Sequence, residues 1–93
     1  MAAKKTSQSI LTVGSTVLIR TVTMIQVGRV VSMDERFVEL ADASWVADTG
    51  RFSAALTTGS LSEVEPFPAG CLVGVGAIVD VAPWPHPLPR TVK

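Results

Sequence analysis

The sequence predicts a mainly β domain, a β-rich α+β fold with one short helix, and three observations carry that prediction. Runs dense in Val, Ile, Leu and Thr recur along the chain, and β-branched residues fit a pleated strand better than a helix. Glycine, proline and acidic pairs punctuate those runs. Only one stretch, residues 41–59, exchanges the two-residue apolar rhythm for a helical one.

Taken in order, residues 1–9 (MAAKKTSQS) are polar and Lys/Ser-rich, which predicts a flexible N-terminal tail. Residues 10–82 form a single β-rich domain, and 83–93 a Pro-rich extended C-terminal tail. The first strand falls within 12–23. In Val17-Leu18-Ile19-Arg20-Thr21 neither face is polar, so the strand is covered on both sides or packed at an interface. The second strand spans 24–33, with Ile25, Val27, Val31 and Met33 on one parity and Gln26, Gly28 and Ser32 on the other. Arg29 interrupts the pattern, and Gly28 beside it predicts a bulge or sharp bend of the kind small barrels need to close. Asp34-Glu35 makes a hairpin turn into a third strand, 36–41, where Val38 and Leu40 share a face. Ser44-Trp45-Val46 extends that strand or opens the crossover.

The helical stretch follows. Asp48 and Thr49 are N-cap residues, Phe52, Ala55 and Leu56 fall at i, i+3 and i+4, and Gly59 stands where a helix end calls for a left-handed residue. This predicts about two turns pressing Phe52 and Leu56 onto the sheet. Residues 60–66 predict a short edge strand closed by Pro66 and Pro68. Residues 70–81 read as one last strand curving across the sheet, with Cys71, Val73, Val75, Ala77, Val79 and Val81 on one parity. Proline at every second position from Pro83 to Pro89 keeps the tail out of a central strand and extended. Five bent strands and one helix predict a small antiparallel barrel or half-barrel, SH3-like or Sm-like. Its open edges and apolar surplus predict a homo-oligomer.

With 93 residues and 47% hydrophobic composition the chain suits one domain. No apolar run reaches the ~20 residues of a membrane-spanning helix, and no apolar stretch follows Lys4-Lys5 to make a signal peptide. The single cysteine, Cys71, excludes an internal disulfide and points to a reducing cytoplasm. Net charge is zero, but between the basic tails four arginines face eight carboxylates. An acidic body opposes a bulk electrostatic grip on nucleic acid.

Candidate ligand-binding residues are Arg20, Arg29, Trp45 and Arg51. Arg51, after Asp48-Thr49-Gly50, either presents its guanidinium with helix N-terminal amides to an anion or is a solvated residue of an ordinary capped helix. Arg20 and Arg29, on neighbouring strands, either converge as a phosphate fork or pair with Glu39 or Glu65. Trp45 either stacks on a base or fills a core edge. Trp84, with Pro85 and Leu88, is assigned to an interface between copies, because the Pro-rich tail gives that indole little core of its own. A lone His86 makes no zinc site. A Cys71–His86 pair would join a strand to an extended tail and is set aside. Gly74-Val75-Gly76 lies in strand context and makes no phosphate loop. Glu63 and Glu65 read as a solvated edge. No catalytic constellation, cofactor or metal site emerges, so the expectation is a non-enzymatic protein.

Beyond these features, the chain resembles a family of small proteins of unknown function encoded by tailed phages, prophages and metagenomic relatives. The segments that carry the resemblance are Val17-Leu18-Ile19-Arg20-Thr21-Val22, Gly28-Arg29-Val30-Val31, the run from Asp42 to Phe52, the run from Gly59 to Phe67, and Gly76-Ala77-Ile78-Val79-Asp80. The resemblance implies a viral gene product acting in a host bacterial cytoplasm or a virion, and transfers no chemistry. Three functions follow as expectations. The first is an oligomeric binding protein that sequesters a host nucleotide immune signal in pockets between subunits. The second is a structural or assembly protein whose tails wrap neighbours. The third is a nucleic-acid-binding Sm-like ring.

Overall fold

The computed structural model describes residues 10–93; the expected N-terminal tail, 1–9, lies outside the described residues. The chain runs β1 (Thr16–Thr21), β2 (Ile25–Met33), β3 (Phe37–Asp48), α1 (Phe52–Thr58), β4 (Glu63–Pro66), β5 (Cys71–Gly74), a 3-10 turn (Val75–Ala77) and β6 (Ile78–Pro83). All strands pair antiparallel in one sheet of order β4-β3-β2-β1-β6, with β5 also on β3. The result is mainly β, strongly bent and not a closed barrel. Among the described residues no helix is long and apolar enough to cross a membrane.

The bend has local causes. β3 is 12 residues long and serves two partners on one side: Phe37–Leu40 pairs β5, and its far end, from Ser44 onward, pairs β4. Between those halves Asp42 takes φ 50, a left-handed conformation that Asp tolerates better than most residues. Across β2–β3 the register shifts between Val27 and Arg29, the position of Gly28. A Cβ on Gly28 would lie 3.0 Å from the Ala43 Cβ and 3.1 Å from that of Leu40, so glycine lets the strands close up there.

β1 carries a core on each face. On the concave side Val17 and Ile19 pack with Val30, Val38, Leu40, Ala43 and Val73. On the convex side Leu18 packs with Val27, Val46, Ala55, Leu61, Val64 and Trp84. Val17, Leu18 and Ile19 are all fully buried, which is why the sequence shows no polar face there.

Ser44, Trp45 and Val46 extend β3. The β2–β3 hairpin turns where expected, with Asp34 Oδ1 accepting the amides of Arg36 (2.7 Å) and Phe37 (2.9 Å). The helix also forms where expected and ends on Gly59 at φ 80. Its start differs. Arg51 occupies the cap position without a side-chain cap bond, while Asp48 Oδ1 accepts the Gly50 amide at 2.8 Å and Thr49 Oγ1 donates to the Gly50 carbonyl at 2.7 Å. Both residues shape the preceding turn instead. Ala55 is buried at the helix–sheet contact, with Phe52 and Leu56 half-buried beside it.

Two expectations are corrected. The run 70–81 is not one curving strand. β5 runs back along β3, the 3-10 turn breaks it, and β6 pairs with β1. That connectivity is the SH3-like one, with α1 and β4 inserted before β5. An alternating apolar pattern reads the same for one strand as for two separated by a three-residue turn with no polar marker.

The second correction concerns the C-terminal tail. Trp84 is 1% exposed, inside the convex core, and not on a surface. Its amide donates to the Thr16 carbonyl (2.9 Å), and Thr16 Oγ1 donates to its carbonyl (2.6 Å). The prolines then carry the chain across the convex face as a strap. His86 Nε2 meets the Leu56 carbonyl at 2.8 Å, Ser44 Oγ the Pro89 carbonyl at 3.4 Å, and Leu88 packs half-buried on the core, leaving Pro85 exposed. Tail and helix together give the indole the core that the tail alone lacks.

Candidate functional site

The β1–β2 turn brings two of the four candidate ligand residues to one place. A cleft of about 340 Å³ at that end of the sheet is lined by Arg20, the segment from Thr21 to Ile25, and Trp45, Val46 and Ala47. Pairing register explains the arrangement. Gln26 lies opposite both Ile19 and Trp45, so Trp45 shares the concave face, while Arg20, two residues beyond Leu18, lies on the convex side. The two side chains flank the turn from opposite faces. A second cleft of about 240 Å³, lined by Met24, Trp45, Glu65, Pro66 and Phe67, shares Met24 and Trp45 with the first and continues it along the concave face.

Arg20 is held in place. It is the register partner of Asp80, donates from Nε to Oδ1 at 2.8 Å and from a second nitrogen to Oδ2, and lies 4.9 Å from the Phe52 ring centroid. The Arg20 hydrogen bond, reinforced by its charge, holds the Asp80 carboxyl below the usual carboxylate range. A guanidinium has five N–H donors and this pairing engages two, so the rest remain available to a ligand. The paired carboxylate orients the exposed fork and balances its charge.

Arg29 does not converge with Arg20. It stands four register steps away, opposite Thr16, about 13 Å along the strand. There its Nη1 is 2.5 Å from Asp42 Oδ2, and Arg90 Nη1 is 3.5 Å from Asp42 Oδ1. The arginines therefore pair with Asp80 and Asp42, not with Glu39 or Glu65. Arg51 is exposed and makes no salt bridge among the described residues. At the start of a seven-residue helix with no side-chain cap, it builds no anion site with Arg20.

Sequence reasoning missed Gln26, Met24 and Phe67. The period-2 pattern places Gln26 on a polar face, yet it is 8% exposed, and its Oε1 is buried without a hydrogen-bond partner among the described residues. Alternation loses its meaning where a sheet is covered on both sides.

A larger cavity, about 540 Å³, opens on the concave face between Ile10, Leu11, Met33, Val38, Val75 and Val81, with Asp34 and Asp80 at its rim. Among the described residues no group of three or more His, Cys, Asp and Glu could hold a metal ion. Burial pushes the Cys71 thiol up, away from a reactive thiolate, and His86 is engaged with the Leu56 carbonyl and the edge of Trp84.

Compared with known proteins, the chain matches no family model, no curated protein and no solved structure.

Proposed function

We propose that the protein is a non-enzymatic, self-associating binding protein that takes a small anionic nucleotide in the cleft between Arg20 and Trp45. One observation supports this above the others: a carboxylate-oriented guanidinium fork and a half-buried indole flank one turn, lining a cleft of about 340 Å³, within the size range of small-molecule sites. A base stacks on Trp45 and a phosphate meets the free donors of Arg20. The resemblance to phage proteins supplies the setting, sequestration of a host nucleotide immune signal.

The assembly-protein reading is the weaker one, because of the two tails it needs to wrap neighbours the C-terminal one is docked on its own domain. Nucleic acid is weaker still, since between the basic tails four arginines face eight carboxylates and give no extended grip on a phosphate backbone.

The test is a thermal-shift and tryptophan-fluorescence screen against cyclic mononucleotides, cyclic dinucleotides and NAD-derived signals. Ligand at 100 times its Kd stabilises by about 2.7 kcal/mol, or ~10–20 °C in a domain of this size. Trp84 is buried and serves as the constant background, so quenching reports Trp45. Trp45→Ala lowers affinity about tenfold or more, the usual loss for one stacked base. No shift and no quenching across the panel overturns the reading.

A further inference from the structure

We infer that a second copy of this chain docks on the open edge of β5, in an antiparallel pairing centred on Val73. This names the surface for the self-association proposed above, and it stands whether or not the nucleotide reading does.

The argument begins with backbone hydrogen bonds. The Val75 amide donates to the Arg36 carbonyl at 2.9 Å, one residue outside the Gly74–Phe37 pair. That bond fixes the phase of the ladder. Val73 and Cys71 bond inward to β3, so the N–H and C=O of Leu72 and Gly74 point away from it. Among the described residues nothing pairs with the two amides or with the Leu72 carbonyl, while the Gly74 carbonyl caps the 3-10 turn and keeps its second lone pair. An exposed strand edge with unpaired donors and acceptors is a template for another strand.

Side chains on the convex face select the partner. Leu72 is 62% exposed and Phe37 41% exposed, whereas Gly74, beside Phe37, has nothing within 4 Å of where a Cβ would be. Each β5 therefore carries a bump at Leu72 and a hole at Gly74, two residues apart. A two-fold axis at Val73 sets Leu72 of each copy opposite Gly74 of the other. Each Gly74 amide donates to the opposing Leu72 carbonyl, and each Leu72 amide shares the opposing Gly74 carbonyl with the 3-10 turn. Each leucine fills the space over the opposing glycine against the neighbouring Phe37. This edge is its own complement, the requirement of an isologous dimer.

Charge at the rim agrees. The hairpin tip next to the Gly74 end of β5 holds Asp34, Glu35 and Arg36, one net negative charge. The cluster next to the Gly70 end holds Arg29, Asp42 and Arg90, one net positive charge. Antiparallel docking turns each tip toward the other copy's cluster, at about three strand spacings, ~14 Å. At that range the attraction steers the encounter and weakens with salt. The other open edge, β6, is a poorer template, since its pairing with β1 slips between Arg20 and Thr21 and it ends in Pro83.

So small an interface belongs to the weak class, with a dissociation constant in roughly the micromolar range or above. Sedimentation equilibrium of the full chain, from about 1 µM to 1 mM, provides the test, with two variants. Gly74 has φ −69 and ψ 125, values proline accepts, and its N–H is not used by its own sheet, so Gly74→Pro keeps the fold while removing an edge donor. Leu72→Lys replaces the apolar bump with a charged side chain at an exposed position. The expected result is a monomer–dimer equilibrium that each variant weakens tenfold or more, with melting of the dilute protein unchanged. In amide exchange, Leu72 and Gly74 gain protection with concentration while Val73 does not. A chain monomeric to 1 mM, or a dimer indifferent to both variants, overturns the inference. The nucleotide screen is read on Gly74→Pro as well, so loss of ligand binding and loss of pairing are scored separately.

Discussion

The sheet has two short edge strands on the same side of β3, and they meet different fates. At β4 the outward amide and carbonyl of Val64 pair with Lys93, at 3.1 and 2.9 Å, so the chain's own last segment occupies the edge. At β5 the outward amides of Leu72 and Gly74 and the Leu72 carbonyl have no partner among the described residues. The convex face divides likewise: α1 and the strap cover Leu18, Val27, Val46 and Val64, while Phe37 and Leu72 stay exposed. Identical backbone chemistry is self-satisfied where the strap reaches and open to association where it does not.

Substitutions should break that contrast in a definite order. The largest effect belongs to the covered side. Trp84→Ala removes the biggest fully buried side chain and should cost about 3–5 kcal/mol, much of the stability of a domain this small, as read by urea unfolding. Next is the joint between helix and strap. Gly59 has φ 80, and a Cβ there would lie 2.7 Å from the His86 side chain. Gly59→Ala should cost about 1–2 kcal/mol, and the lost His86–Leu56 bond should appear in the histidine ring NMR shifts. Removing residues 91–93 should cost about 1 kcal/mol, but it opens β4 as well as β5. Two sticky edges give open-ended chains rather than a closed pair, so light scattering should then rise with concentration beyond dimer.

The smallest effect sharpens the comparison on the open side. Asp34 is held below the usual carboxylate range, first by the Phe37 amide and then by that of Arg36; Asp80 is held down by Arg20. A carboxyl whose folded pKa lies below its unfolded value stabilises the fold above that unfolded value and loses the contribution as pH falls through the folded one. Stability should therefore be flat at neutral pH and decline below about pH 4. Asp34→Asn and Asp80→Asn should flatten that decline. Amide exchange in acid should loosen the hairpin tip beside β5 before the Val64–Lys93 pair.

Much of this fold is legible in the residues. Val17-Leu18-Ile19 shows no polar face and is buried on both. Gly28 marks a register shift, Gly59 ends the helix, and Asp34 turns the hairpin. What stays hidden depends on register and on distant segments. With both faces apolar, alternation cannot say which carboxylate faces which arginine, so Asp80 and Asp42 go unrecognised as partners. The break at Val75–Ala77 carries no turn residue beyond glycines that also suit a strand. Trp84 finds its core only because α1 and Leu61 arrive from elsewhere in the chain. Of the candidate site, the sequence yields Arg20 and Trp45 but not Met24 or Phe67, whose proximity comes from the β1–β2 turn and from the far half of β3.

The burial of β1 on both faces has a consequence for how the chain folds. Its neighbours β6 and Trp84 lie 60 to 68 residues downstream, through the Arg20–Asp80 and Thr16–Trp84 contacts. Pairings so distant in sequence require a long loop to close, which slows them relative to the β1–β2 hairpin. Partly folded species that hold only the local pairings therefore expose the β6 side of β1 and part of its apolar surface, which makes them prone to aggregate.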